Sequence, residues 1–173
     1  YDSSMAIRRI IELGDPLLRA TSRELLQPSE ADPVFCDLRD TLHEFQRCHG
    51  FGRGIAAIQI GVPLRIIYIE IHGACYELIN PRLQWASNEK FRLWDDCFSF
   101  PNLMVELDRH QRIRVCYQDR AGQERQINAE GDFSELLQHE LDHLDGILSI
   151  DRVVDARTGF ATRTEYLRSL GQN

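Results

Sequence analysis

No stretch of this 173-residue chain approaches the roughly 20 consecutive apolar residues that cross a bilayer. No signal-peptide pattern opens it either, so no membrane partner is expected. Excess positive charge is also missing. The formal net charge is −7, and nonspecific binding to a polyanion needs clustered Lys and Arg. No nucleic-acid partner is expected of the chain by itself. The cysteines (Cys36, Cys48, Cys75, Cys97 and Cys116) are odd in number and lack CxxC spacing. That excludes an ordinary disulfide framework and fits reduced thiols in a cytosol-like compartment. Repeats, low-complexity tracts and long linkers are absent too. Residues 1–173 therefore read as one domain, long enough for one core and short for two. The four residues before Met5 read as a remnant of an expression vector.

What is present is ordinary in bulk, with 43% hydrophobic and 27% charged residues, and specific in pattern. Val34, Phe35, Leu38, Leu42 and Phe45 recur at helical spacing, which predicts an amphipathic helix over 32–49. Gly50, Gly52 and Gly54 then end it in a turn. Segments 64–71 and 74–79 are rich in β-branched and aromatic residues and read as strands. Further strands are expected over 104–119 and in the following segment, around a hairpin turn at Ala121-Gly122. Leu137, Leu141, Leu144 and Leu148 predict a helix with one buried stripe, and a last helical segment runs from about Thr162 to Leu170. The organisation is α+β.

The second helix carries the chemistry. His139, Glu140 and His143 form an HExxH, in which two imidazoles four residues apart share a face and can point at one ion. Glu140 lies beside that pair, in reach of a water to activate. The plainer alternative is a solvated polar face. A catalytic site of this kind needs a third protein ligand, and spacing leaves the choice open. Ser149 stands where one class of zinc protease, which also keeps a glycine at the position of Gly146, places a histidine; a neutral hydroxyl there would bind weakly. Glu165 lies at a separation known from other proteases, but its flanking arginines favour a surface ion pair. Cys97, at a strand end beside Pro101, offers a soft thiolate.

Three segments together resemble peptide deformylase. Residues 52–61, GRGIAAIQIG, match the family motif GxGxAAxQxG in full. Residues 138–146, QHELDHLDG, match QHExDHLxG. Residues 95–99, DDCFS, match EGCLS in part, and similarity extends through GDPLLR, GVPLRIIYI and LINP. The resemblance implies mixed or antiparallel sheets packed around the HExxH helix, with an N-terminal amphipathic helix and a C-terminal helix. It implies one divalent ion held by Cys97, His139 and His143, natively Fe(II), with Zn, Ni or Co able to replace it. The implied reaction is hydrolysis of an N-terminal formyl group, releasing formate and a free amine. Glu140 would act as general base, Gln59 and the Phe98 N–H as oxyanion donors, and Gly54, Asp96, Glu135 and Leu136 as substrate-binding residues. The implied partner is a formylated peptide or nascent chain, with ribosome association, a cytoplasmic setting and a monomeric state.

Departures from the motifs carry their own expectations. Asp95 replaces a glutamate, Asp96 a glycine and Phe98 a leucine. Asp132 and Glu135 enter the approach to the metal helix, where they resemble a capping box. Four carboxylates near one pocket, with Arg53 as partner, predict a first-residue preference shifted from methionine toward a polar or basic side chain. Asp142 is expected to steady a ligand histidine or a nearby arginine. The alternative functions are an HExxH zinc endopeptidase using Glu165, and a catalytically weak peptide-binding paralogue.

Overall fold

The strand β2 (Ile66–Ile71) is apolar on both faces, and each face serves a different layer. Ile66 and Tyr68 join Phe35, Leu38, Leu42 and Phe45 of helix α1 (Asp32–His49). Ile67, Ile69 and Ile71 face the other way, into a cluster with Leu136, Leu137, Leu141 and Leu144 of helix α2 (Asp132–Leu144). A strand covered on both sides needs no polar alternation, which accounts for the apolar run from Ile66 to Ile69. The structure is a computed structural model that describes residues 7–172. The segment read above as a vector remnant lies outside the described residues.

Around β2 stand β1 (Gly54–Ala56), β3 (Ala74–Ala86), β6 (Arg112–Gln118) and β7 (Glu124–Glu130). They form a five-stranded antiparallel sheet in the order β1–β2–β3–β6–β7. A second sheet, β4 (Lys90–Asp95), β5 (Leu103–His110) and β8 (Phe160–Thr162), has the order β4–β5–β8 and is also antiparallel. Its Val105 and Leu107 share a core with Leu18, Phe100, Leu148 and Cys97. The expected α+β architecture is therefore present, with β1 and β4 each at a sheet edge. A short helix α3 (Arg163–Ser169) follows β8, capped by the Thr162 hydroxyl, which accepts from Glu165 N at 3.2 Å. Among the described residues no helix is long and apolar enough to cross a membrane.

Two local readings are corrected. The helical stripe stops at Leu144, because Gly146 turns the chain at φ +71° and Leu148 packs in the other core, beside Cys97. The capping box does not form either. Gly131 at φ +61° is the N-cap, its carbonyl accepts from Glu135 N at 3.0 Å, and Asp132 is already helical. A reciprocal box needs a polar side chain at the N-cap, which glycine lacks. Asp132 instead meets His72 Nε2 at 2.8 Å on the surface.

Candidate metal centre and active site

Helix α2 is anchored just before the site by its own polar side chains. Gln138 Oε1 accepts from His110 N at 3.0 Å, and Ser134 Oγ donates to His110 O at 2.8 Å. Fixing that turn against the end of β5 aims the opposite face at the gap between the sheets. There the Nε2 atoms of His139 and His143 lie 3.1 Å apart. Cys97 arrives from the other sheet, in the turn that follows β4 and is closed by Phe100 N donating to Cys97 O at 3.1 Å. Its Sγ lies 3.3 Å from His143 Nε2. The three ligand atoms fall within 4.8 Å of one another, and all three residues are buried.

The donor set fits a divalent cation. Ligand nitrogens on a tetrahedral ion stand about 3.4 Å apart when the bonds are about 2.1 Å, close to the spacing found. A thiolate and two imidazoles suit Zn, Fe, Ni and Co alike. Beside them Glu140 is almost wholly buried, and its Oε2 has no partner among the described residues. Burial pushes this carboxyl up to about 7. Such an orphan is costly in a folded core unless a ligand or water completes it.

Asp95 sets the electrostatics behind the ligands. Its Oδ2 lies 2.9 Å from His139 Nδ1 and accepts from Arg109 Nη2 at 3.2 Å. Burial opposes charge on both partners. Even so, the His139 and Arg109 charges hold the Asp95 carboxyl below its usual range, and Asp95 lifts the imidazole well above its own. His143, buried beside His139, is pushed well below the usual imidazole range. Holding Nδ1 leaves His139 Nε2 facing the ligand cluster.

Gln59 is buried at the same spot. Its Oε1 accepts from Ala56 N at 3.0 Å, which turns Nε2 toward Ser99 Oγ at 3.3 Å and Cys97 Sγ at 3.7 Å. The Phe98 N–H has no protein acceptor among the described residues, and the Phe98 ring stacks on Phe45 at a centroid distance of 3.8 Å. A Cβ placed on Gly54 would lie 3.0 Å from Glu140 Oε1 and 3.2 Å from Leu136 Cδ1. That glycine is needed for close approach. One cavity of about 520 Å³ takes in Gly54, Gln59, Asp95, Asp96, Cys97, Phe98, Glu135, Leu136, His139 and Glu140.

Other sequence candidates fall elsewhere. Glu165 is exposed and pairs with Arg168 at 2.5 Å, which removes it as a third ligand. Ser149 is buried with its hydroxyl unpartnered among the described residues, and neither it nor Asp132 is in the cavity wall. Asp142 binds Arg109 at 2.6 Å and Arg152 at 2.6 and 2.7 Å, so it steadies arginines while Asp95 holds the histidine. Asp96 pairs with Arg163 at 2.6 Å, and Arg163 lies over the Phe51 ring at 3.7 Å. Ser99, Arg109 and Tyr166 went unread in the sequence, and Arg163 was read only as a flank of Glu165, whereas it pairs with Asp96. The DDCFS segment contained Ser99, and the places of the other three carried no local signal.

The polypeptide deformylase family profile matches residues 7–158. A peptide deformylase of Bartonella tribocorum is 38% identical over 176 aligned residues, spanning 98% of this chain and 97% of the relative. The crystal structure of a peptide deformylase from Thermotoga maritima superposes with a TM-score of 0.80 at 30% identity, over 86% of this chain and 99% of that one. The enzyme from Thermus thermophilus gives 0.80 at 32% identity, over 94% and 92%.

Proposed function

The chain belongs to the polypeptide deformylase family, and from that premise we propose how its cavity carries out metal-dependent hydrolysis of an N-terminal formamide. Cys97, His139 and His143 would hold one divalent ion, proposed to be Fe(II), and the chemistry supplied there would be Lewis acidity toward a carbonyl oxygen and water. Glu140 takes a proton from the attacking water through its unpartnered carboxylate and delivers it to the amine nitrogen as the C–N bond breaks. Formate and a free amino terminus leave. Gln59 Nε2 and the Phe98 N–H donate to the oxygen that gains charge in the transition state; preorganised donors of this kind contribute about 3 kcal/mol each.

The peptide backbone lies along the free edge of β1, passing Gly54 as an added strand. Support comes from the sheet order, which leaves β1 at an edge, and from the space that a Cβ on Gly54 would fill. The proposed setting is the cytoplasm, the proposed partner a formylated peptide, and the proposed state a monomer; these rest on family resemblance.

The observation that carries the reading is the convergence of three ligand atoms beside a buried carboxylate oxygen without a partner. Replacing the thiolate is the direct test of the ligand set. Cys97→Ser is expected to lose bound metal and formate release together, measured by elemental analysis and a formyl-peptide assay. Full retention of both would refute the assignment.

A further inference from the structure

A formyl carbon held next to Cys97, His139 and His143 fixes where the first residue of the peptide lies. That residue's Cα is two bonds away, about 2.4 Å, and its side chain begins at most about 4 Å out. One turn before His139 and Glu140, α2 carries Glu135 and Leu136 on the same face. Opposite them is Gly54, whose absent Cβ would touch both Glu140 and Leu136. The first side chain therefore enters the part of the cavity walled by Arg53, Gly54, Glu135 and Leu136.

That wall contains an ion pair. Arg53 Nη2 donates to Glu135 Oε1, and the two side chains are 40% and 7% exposed. The second carboxylate oxygen of Glu135 makes no hydrogen bond among the described residues, yet it is not sealed from the cavity. A thioether has nothing to offer such a wall, and it would strip water from two charges without replacing the lost hydrogen bonds. A cationic side chain would meet Arg53, and an acidic one Glu135, each at like-charge cost. A carboxamide meets neither objection, since its NH₂ can donate to Glu135 while its carbonyl accepts from Arg53.

We propose, on the strength of the deformylase reading, that the Arg53–Glu135 pair selects formyl-peptides whose first residue bears a neutral carboxamide over those that begin with methionine. This narrows the sequence expectation of a polar or basic residue. The basic half is dropped because Arg53 already occupies Glu135.

The test compares kcat/KM for formate release from tripeptides identical except for a first residue of Gln, Met, Lys or Glu. It uses the metal-loaded wild type and the double variant Arg53→Ile/Glu135→Ile. The double variant removes both charges together, because losing Arg53 alone would strand the buried Glu135 carboxylate. Wild type is expected to favour Gln over Met by about tenfold or more, and the double variant to reverse that order; hydrogen-bonding sites discriminate far more sharply than apolar ones. Methionine preferred by wild type overturns the proposal. So does a Gln/Met ratio unchanged in a double variant that holds metal and melts cooperatively. If that variant does not fold, the wild-type ratio decides alone. Absence of formate from every peptide, with metal bound, removes the deformylase reading beneath it.

Discussion

Asp95 stands where the family motif has glutamate, yet it reaches both His139 Nδ1 at 2.9 Å and Arg109 at 3.2 Å. A carboxylate in this position fixes the imidazole orientation and raises its basicity toward a metal. Asp95→Asn keeps the shape and loses the charge, so metal affinity should fall about 10–100-fold, read by chelator competition. Unchanged affinity would show that His139 needs no such support. The ligand histidines were legible because their spacing is local: four residues on a helix place two side chains on one face. Cys97 was legible only as one of three candidates until the motif resemblance was weighed, since its approach depends on how one sheet packs against another. Arg109 was not legible at all. An arginine in a strand is usually a surface residue, and only the fold shows it buried between Asp95 and Asp142.

Helix α2 joins the site to the core. Its polar face carries the ligands, and Leu137 and Leu144 on the other side are wholly buried against the five-stranded sheet. Leu137→Ala should cost about 2–5 kcal/mol through lost burial and a residual cavity. The corresponding drop in melting temperature is roughly 4–20 °C, measurable by calorimetry on the metal-loaded protein. A change under about 1 °C would mean that the helix is not held by this packing. The apolar periodicity identified the helix but overran its end, because Leu148 continues the i, i+4, i+7 series by coincidence after Gly146 has turned the chain. Its start was also misread. Asp132 and Glu135 have capping-box identities, but the backbone places glycine at the cap and turns Glu135 inward to Arg53.

Across the whole molecule, α2 and the turn after β4 meet only when both sheets are formed, so a bound ion should tie them together. Binding to the folded chain alone stabilises it by about 2.7 kcal/mol when the ion is at 100 times its Kd. Stripping the metal should therefore lower the melting temperature by roughly 5–10 °C, and re-addition of Fe(II) or Zn should restore it. Equal melting with and without metal would count against a centre that bridges the two sheets. β2, the first half of β3, and β5, β6 and β7 were legible from local composition, whereas β1, β4 and β8 were not, and neither was the division into a five-stranded and a three-stranded sheet. Pairing order is a long-range property, and β4 in particular has no apolar run to announce it. The most direct measurement pairs metal content with formate release in wild type and Glu140→Gln. Both proteins are expected to bind one ion per chain, with the variant releasing formate about 10²–10⁴ times more slowly. Undiminished formate release by the metal-loaded variant would contradict the role of Glu140 and the hydrolytic mechanism built on it.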